Sequence, residues 1–282
     1  MTILDSDNFK EAIRTIVALG ATAPVLVKVA KLINDPDTDL TDICALLKND
    51  GPLAGDIIRI SNSSYYAPAT PHGNLNSAVN YIGLKEVIRV VNLSLSRQLF
   101  AHELASYGIS GYDYWSDSVA TALVMEALAK NSHLNPEDAY TIGMMHAIGR
   151  LVIDRVIADQ GYSIYWDGGQ PIQDWEREAV GLDFAETGAI LVENWRFPSS
   201  TCDAIRWQLD PEKVVEPVSL LGALQFTRRL LALTGSNFKN WGWRLPETDP
   251  YMQAAGVTPT LVDHIVSDCE DNFKRIRQSV DL

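Results

Sequence analysis

Long apolar runs are missing from the 282 residues: no stretch approaches the roughly 18 uninterrupted apolar positions that a membrane-crossing helix needs. The opening segment, Met1 to Asp7, is acidic and lacks the basic front of a secretory leader. Cysteine is scarce. Cys44, Cys202 and Cys269 are odd in number, far apart and in no Cys-x-x-Cys pairing, which argues against a disulfide framework or a structural zinc site and predicts buried thiols in a reducing cytoplasm. Positive charge is also in deficit: 23 Lys and Arg stand against 36 Asp and Glu, a formal charge of −13. A broad nucleic-acid or anionic-membrane surface needs the opposite balance, so neither is expected as a partner. Alternating Val/Ile/Thr runs that would build a sheet do not occur, nor does an internal repeat. The sequence contains no phosphate-binding glycine loop, no HExxH, no GxSxG and no EF-hand loop. Its five histidines are never three or four residues apart.

What remains is a helical chain, 46% apolar and 21% charged. Apolar residues recur at 3–4 spacing from Phe9 to Val17, from Val25 to Ile33 and at Ile43, Leu46 and Leu47, with Asp39 as a cap. Pro52 suits a first helical turn before Leu53, Ile57, Ile58 and Ile60. Tyr66–Asn74, with Pro68, Pro71 and Gly73, reads as an exposed loop. A short helix through Ala78, Val79 and Ile82 closes at Gly83, and a long one follows from Leu84 to Leu99. Two glycines in Tyr107–Asp113 mark a boundary. The expected organisation is all-α, with an N-terminal helical part at 1–110 and a second at 111–282. The second part should hold helices at about 114–131, 136–159, 173–181, 183–195, 200–208, 216–234 and 258–278.

Few residues stand out chemically. His146 lies among apolar neighbours on the helix predicted over 136–159, and composition alone favours a core histidine over a ligand. Asp113, Asp117 and Glu126 lie before or along the helix from Tyr114; carboxylates near a helix start mostly complement its dipole, and a metal role is the minor reading. Trp241, Trp243 and Tyr251 crowd a connection and pin it to the core or meet a partner. Ser61, Asn62, Ser63, Tyr65 and Tyr66 end a helix and are the candidate contact surface, together with the loop Ala67–Asn74.

The stretch Ala23–Pro36, then Ile43, Asn49, Asp50, Leu53, Ile58–Tyr66 and Ala78–Leu84, resembles the bacterial HDOD domain, an output module related to the HD metal-dependent phosphohydrolases. The resemblance continues through Trp115, Gly143–Val152, Gly188–Trp195 and Pro198, from about residue 20 to 235. It implies an N-terminal helical bundle followed by an HD-like helical domain. HD enzymes hold a divalent metal with histidines and aspartates from several helices. By that resemblance a frequent histidine falls at Asp117, the His-Asp pair at His146 and Ala147, another histidine at Phe184 and a His-His pair at Trp207 and Gln208. Only His146 keeps its imidazole. No metal or other cofactor is therefore expected, and the resemblance implies a signalling module whose partner is a protein, a second copy of the chain included. Two alternatives stay open. One is a phosphohydrolase holding Mn, Fe or Mg through Asp117, His146 and either Asp113 or Asp154. The other is a nucleotide receptor using Phe184, Trp207 and Gln208 in the vacated pocket.

Overall fold

The computed structural model describes residues 9, 11–13, 40–48, 51–63, 65–83, 86–87, 89–91, 103–216, 218–234 and 249–279. Among them no strand forms; one isolated bridge joins Leu104 and Ile109. The predicted helix over Val25–Ile33, the Asp39 cap and most of the Leu84–Leu99 helix lie outside the described residues, as do Trp241 and Trp243. The N-terminal helices are α1 (Leu40–Leu47), α2 (Gly51–Ser61) and α3 (Leu75–Ile82), which pack on one another. Asn74 caps α3 by accepting the Ser77 N–H, and Gly83 ends it at φ 82°, a left-handed value that favours glycine.

Helix α4 (Gly111–Lys130) is the axis of the second half. It starts three residues earlier than its apolar pattern suggests, because the Ser110 hydroxyl accepts the Asp113 N–H and so caps it. Its interior carries Tyr114, Trp115, Val119, Leu123, Val124 and Met125 alongside buried Ser116, Ser118 and Thr121. A helix buried on nearly every side is a central one. It packs against α5 (Pro136–Met145), α10 (Leu220–Thr234) and α12 (Pro259–Ser279). The last of these lays Val262, Ile265, Val266, Cys269, Phe273 and Ile276 inward, and the helix packs on α4. All three cysteines are free thiols and buried.

The single helix expected over 136–159 is two: α5 ends at Met145, and α6 (Ile148–Asp159) begins after a break at His146 and Ala147. Side chains bond the carbonyls at the break, where the Ala147 carbonyl also accepts the Arg150 backbone N–H at 2.9 Å. Tyr114 Oη donates to the Ala147 carbonyl at 2.6 Å, and Gln208 Nε2 to the His146 carbonyl at 2.7 Å. The chain continues through α7 (Ile172–Val180), α8 (Phe184–Asn194), α9 (Ser199–Arg206), α10, α11 (Pro250–Ala255) and α12. Asp183 and Glu186 form a reciprocal capping box at the start of α8.

Two glycines set the helix spacing. A Cβ at Gly143 would lie 2.5 Å from Ala122 Cα, so α5 meets α4 backbone to backbone. A Cβ at Gly149 would lie 2.0 Å from the Phe184 carbonyl oxygen, which presses α6 onto α8. This second contact brings Phe184 to the break after Met145.

Arg89 joins the N-terminal helices to the second half. It bonds Glu126 of α4 and the Tyr65 hydroxyl (3.2 Å), and its guanidinium lies 5.3 Å from the Tyr140 ring. Glu126 also receives Lys130 at 2.9 Å. Beside this network is a cavity of about 240 Å³, whose lining includes Glu86 and Tyr140.

Candidate functional site: a histidine centre furnished with arginines

The break between α5 and α6 turns His146 inward. Its ring is buried, with Nδ1 2.8 Å from the Gly143 carbonyl. A carbonyl only accepts, so Nδ1 donates to it, and Nε2 is the other edge of the ring. That edge faces Asp117 Oδ2 of α4 at 3.4 Å. Asp117 and His146 are thus brought together. Burial works to raise the Asp117 pKa, but the His146 hydrogen bond and the charges of His146, Arg150 and Arg228 outweigh it and hold the carboxyl below its usual range.

The remaining positions offer no cage. Ala147 supplies only backbone. Phe184 is buried and presents a ring, with the guanidinium carbons of Arg150 and Arg228 at 4.3 and 5.4 Å from its centroid. Gln208 is buried, and its Nε2 bonds the carbonyls of His146 and Ile205. Trp207 is not beside Phe184: it lies at the surface with Lys213 Nζ 4.5 Å from its ring, so the expectation that it lines the vacated pocket is corrected. Asp113 faces solvent and bonds Ser110, while Asp154 accepts the Ser106 N–H at 2.8 Å. Neither reaches His146 as a further ligand. Among the described residues no three His, Cys, Asp or Glu side chains come together as a metal-binding group.

Two arginines that the sequence does not flag complete the centre. Arg150 of α6 and Arg228 of α10 put positive charge near Asp117. Burial and the neighbouring Arg150 push the Arg228 pKa down to about 10, so the two guanidiniums feel one another. A divalent ion would meet one imidazole, one carboxylate and two positive forks. Those residues do not fit a metal. Glu176 of α7 sits behind them, fully buried. It accepts from Tyr107 Oη at 2.9 Å and from the Phe184 N–H at 2.8 Å, with Arg150 Nε at 4.0 Å.

The candidate contact surface is also placed. Ser61 is buried and its hydroxyl donates to the Ile58 carbonyl, which removes it from any docking face. Asn62 exchanges two hydrogen bonds with the backbone of His72, at 3.0 and 2.7 Å. Ser63 Oγ is buried. The Tyr65 and Tyr66 rings meet edge to face at 4.7 Å, and Tyr66 Oη donates to Glu86. These side chains brace the loop from within. The exposed part is the loop itself, at Ala67, Ala69, Thr70 and Pro71, with Tyr81 beside it. Tyr251 belongs to α11 and is half-buried, so it lies in a helix and not in a loop.

An all-helical body built around a one-histidine HD-type centre defines an HD-related helical protein. The chain belongs to the HDOD domain family, whose model matches residues 19–211. In fold it is similar to an HDOD domain protein of unknown function from Geobacter sulfurreducens, at TM-score 0.70 and 20% identity, covering 98% of each chain. A candidate phosphohydrolase from Shewanella amazonensis SB2B aligns at TM-score 0.65 and 21% identity over 95% of this chain and 97% of its own. A candidate signal transduction protein from Marinobacter aquaeolei VT8 aligns at 0.67 and 19% over the whole of this chain and 68% of its own. A Treponema pallidum (strain Nichols) protein of unassigned function is 23% identical over 216 residues, 73% of this chain. The chain spans about two-fifths of that relative's length. No helix among the described residues is long and apolar enough to cross a membrane.

Proposed function

We propose that the chain is a non-catalytic signal-transduction module that works in the cytoplasm by binding a protein partner, its HD-type centre converted from a metal cage into a structural hub. One observation carries this reading: Arg150 and Arg228 set positive charge near Asp117, at the centre where the resemblance to HD enzymes puts Phe184, Ala147 and Gln208 at the ligand positions. A metal-bound water needs its ion held tightly enough to lower the water pKa toward neutrality, and this donor set offers too little grip. The exposed loop Ala67–Asn74, braced by Asn62, is the surface we assign to the partner.

Metal analysis of protein purified with added Mn or Fe, combined with a screen of phosphate esters, tests the non-catalytic half. Sub-stoichiometric metal and no turnover are expected. A stoichiometric ion with turnover lost in Asp117→Ala or His146→Ala overturns it in favour of a phosphohydrolase. Cross-linking from loop positions in the native host tests the other half. No specific protein product there would remove the partner reading.

A further inference from the structure

The two arginines at the centre hold far more hydrogen-bonding capacity than their surroundings use. A guanidinium carries five N–H donors. The Arg150 side chain is 15% exposed, yet its guanidinium donates no hydrogen bond among the described residues. Its Nε is buried without a partner, and the nearest carboxylate oxygen, Glu176 Oε1, is 4.0 Å away. Arg228 makes one bond, from a terminal nitrogen to the Gln208 carbonyl at 3.2 Å. Buried charged donors are normally matched, because an unmatched one loses its hydration and regains nothing. Both guanidiniums lie over the Phe184 ring, at 4.3 and 5.4 Å from its centroid, and the charge of Arg150 is felt at Arg228. Asp117 beside them retains 28% of its side-chain exposure, so the cluster is open to solvent on that side.

We propose that Arg150 and Arg228 form a metal-free receptor for a small phosphate-type oxyanion, admitted past Asp117 and gripped by the two guanidinium forks. Two planar forks suit a tetrahedral anion with several terminal oxygens, whereas a lone carboxylate is satisfied by one fork. Asp117 opposes the anion in part and limits affinity. Phe184 holds both forks in place from its apolar ring, so the site exists before the ligand arrives. The proposal rests on the reading of the centre as metal-free and adds the ligand class that replaces the ion.

The test is titration of the full chain with inorganic phosphate and, separately, with a nucleoside monophosphate, in EDTA at constant ionic strength, followed by calorimetry and thermal unfolding. The expected result is saturable binding with a Tm rise of about 2–4 °C at several times Kd. Arg228→Gln and Arg150→Gln should each weaken it by about tenfold or more. Arg229→Gln, which alters an exposed arginine one residue from Arg228, should leave it unchanged. If the glutamine variants unfold, Arg228→Lys and Arg150→Lys, which keep the charge and lose the fork, must still show the loss. Equal response to both titrants assigns the site to free phosphate, and tighter nucleotide binding assigns it to the ester. No binding in EDTA, or binding untouched by the arginine changes, overturns the proposal. Binding that needs added Mn overturns it too and also removes the metal-free reading, which keeps the two failures apart.

Discussion

Glu176 should make the protein lose stability as pH rises toward neutrality. Its carboxyl has no solvent exposure. Burial raises its pKa against the lowering effect of Arg150, the Phe184 N–H and the Tyr107 hydroxyl, and Asp183 adds to the rise, moving it from 4.5 to about 7. In the folded chain the proton therefore stays on through the interval in which the unfolded chain has released it. The unfolded state binds fewer protons there, so stability falls as pH climbs from about 4.5 to about 7 and levels off above. Some 2.5 pH units at about 1.4 kcal/mol each give a loss of roughly 3 kcal/mol. Urea unfolding of the wild type and Glu176→Gln, followed by far-UV circular dichroism between about pH 5 and pH 8, measures it. The variant's curve should lose about 3 kcal/mol of pH dependence relative to the parent. Its absolute stability is not the readout, because an amide meets two donors with one acceptor. Parallel pH curves for the two proteins would refute the argument.

Three further outcomes follow from packing and pairing. Gly149→Ala forces a methyl group into the Phe184 carbonyl and should destabilise by about 3 kcal/mol or more, while Gly55→Ala, with open space around it, should change stability by less than about 1 kcal/mol; paired urea melts decide it. Arg89→Ala leaves the Glu126 carboxylate, at 14% side-chain exposure, without its main partner, and a loss of about 2–4 kcal/mol is expected in the same assay. A loss under 1 kcal/mol would show that Lys130 alone suffices. Asn62→Ala removes both bonds to His72 and should raise the rate of limited proteolysis within Ala67–Asn74, with global stability falling by about 1–2 kcal/mol.

Much of the architecture is legible in the residues. The 3–4 apolar spacing places α2, α3 and the last helix. The interruption at His146 is not legible, since apolar residues run straight through it with no proline. The break depends on Tyr114 and Gln208 taking up carbonyls from distant segments, which local propensity does not encode. Within the centre, His146 and Asp117 are found from sequence spacing against the HD pattern. Arg150, Arg228 and Glu176 are missed for a shared reason. A charged residue on an amphipathic helix reads as solvent-facing, and only the packing of α6, α7 and α10 turns these three toward one another. The signal available was Phe184 itself: an aromatic at a ligand position calls for a cation that can lie on its face. Trp207 faces outward because it caps the C-terminus of α9, in the turn where Gln208 folds inward to bond the His146 and Ile205 carbonyls.

Arg228 sits beyond residue 211, where the match to the family model stops. Half of the cationic pair at the heart of the molecule is thus contributed by sequence outside the hallmark region, as is the α12 lid over Trp115, whose Phe273 ring lies 6.2 Å away. Cutting the gene at the recognised border would strip a charge from the centre and bare an indole on α4. The stretch that carries the family pattern and the stretch that holds both arginines are different lengths of chain.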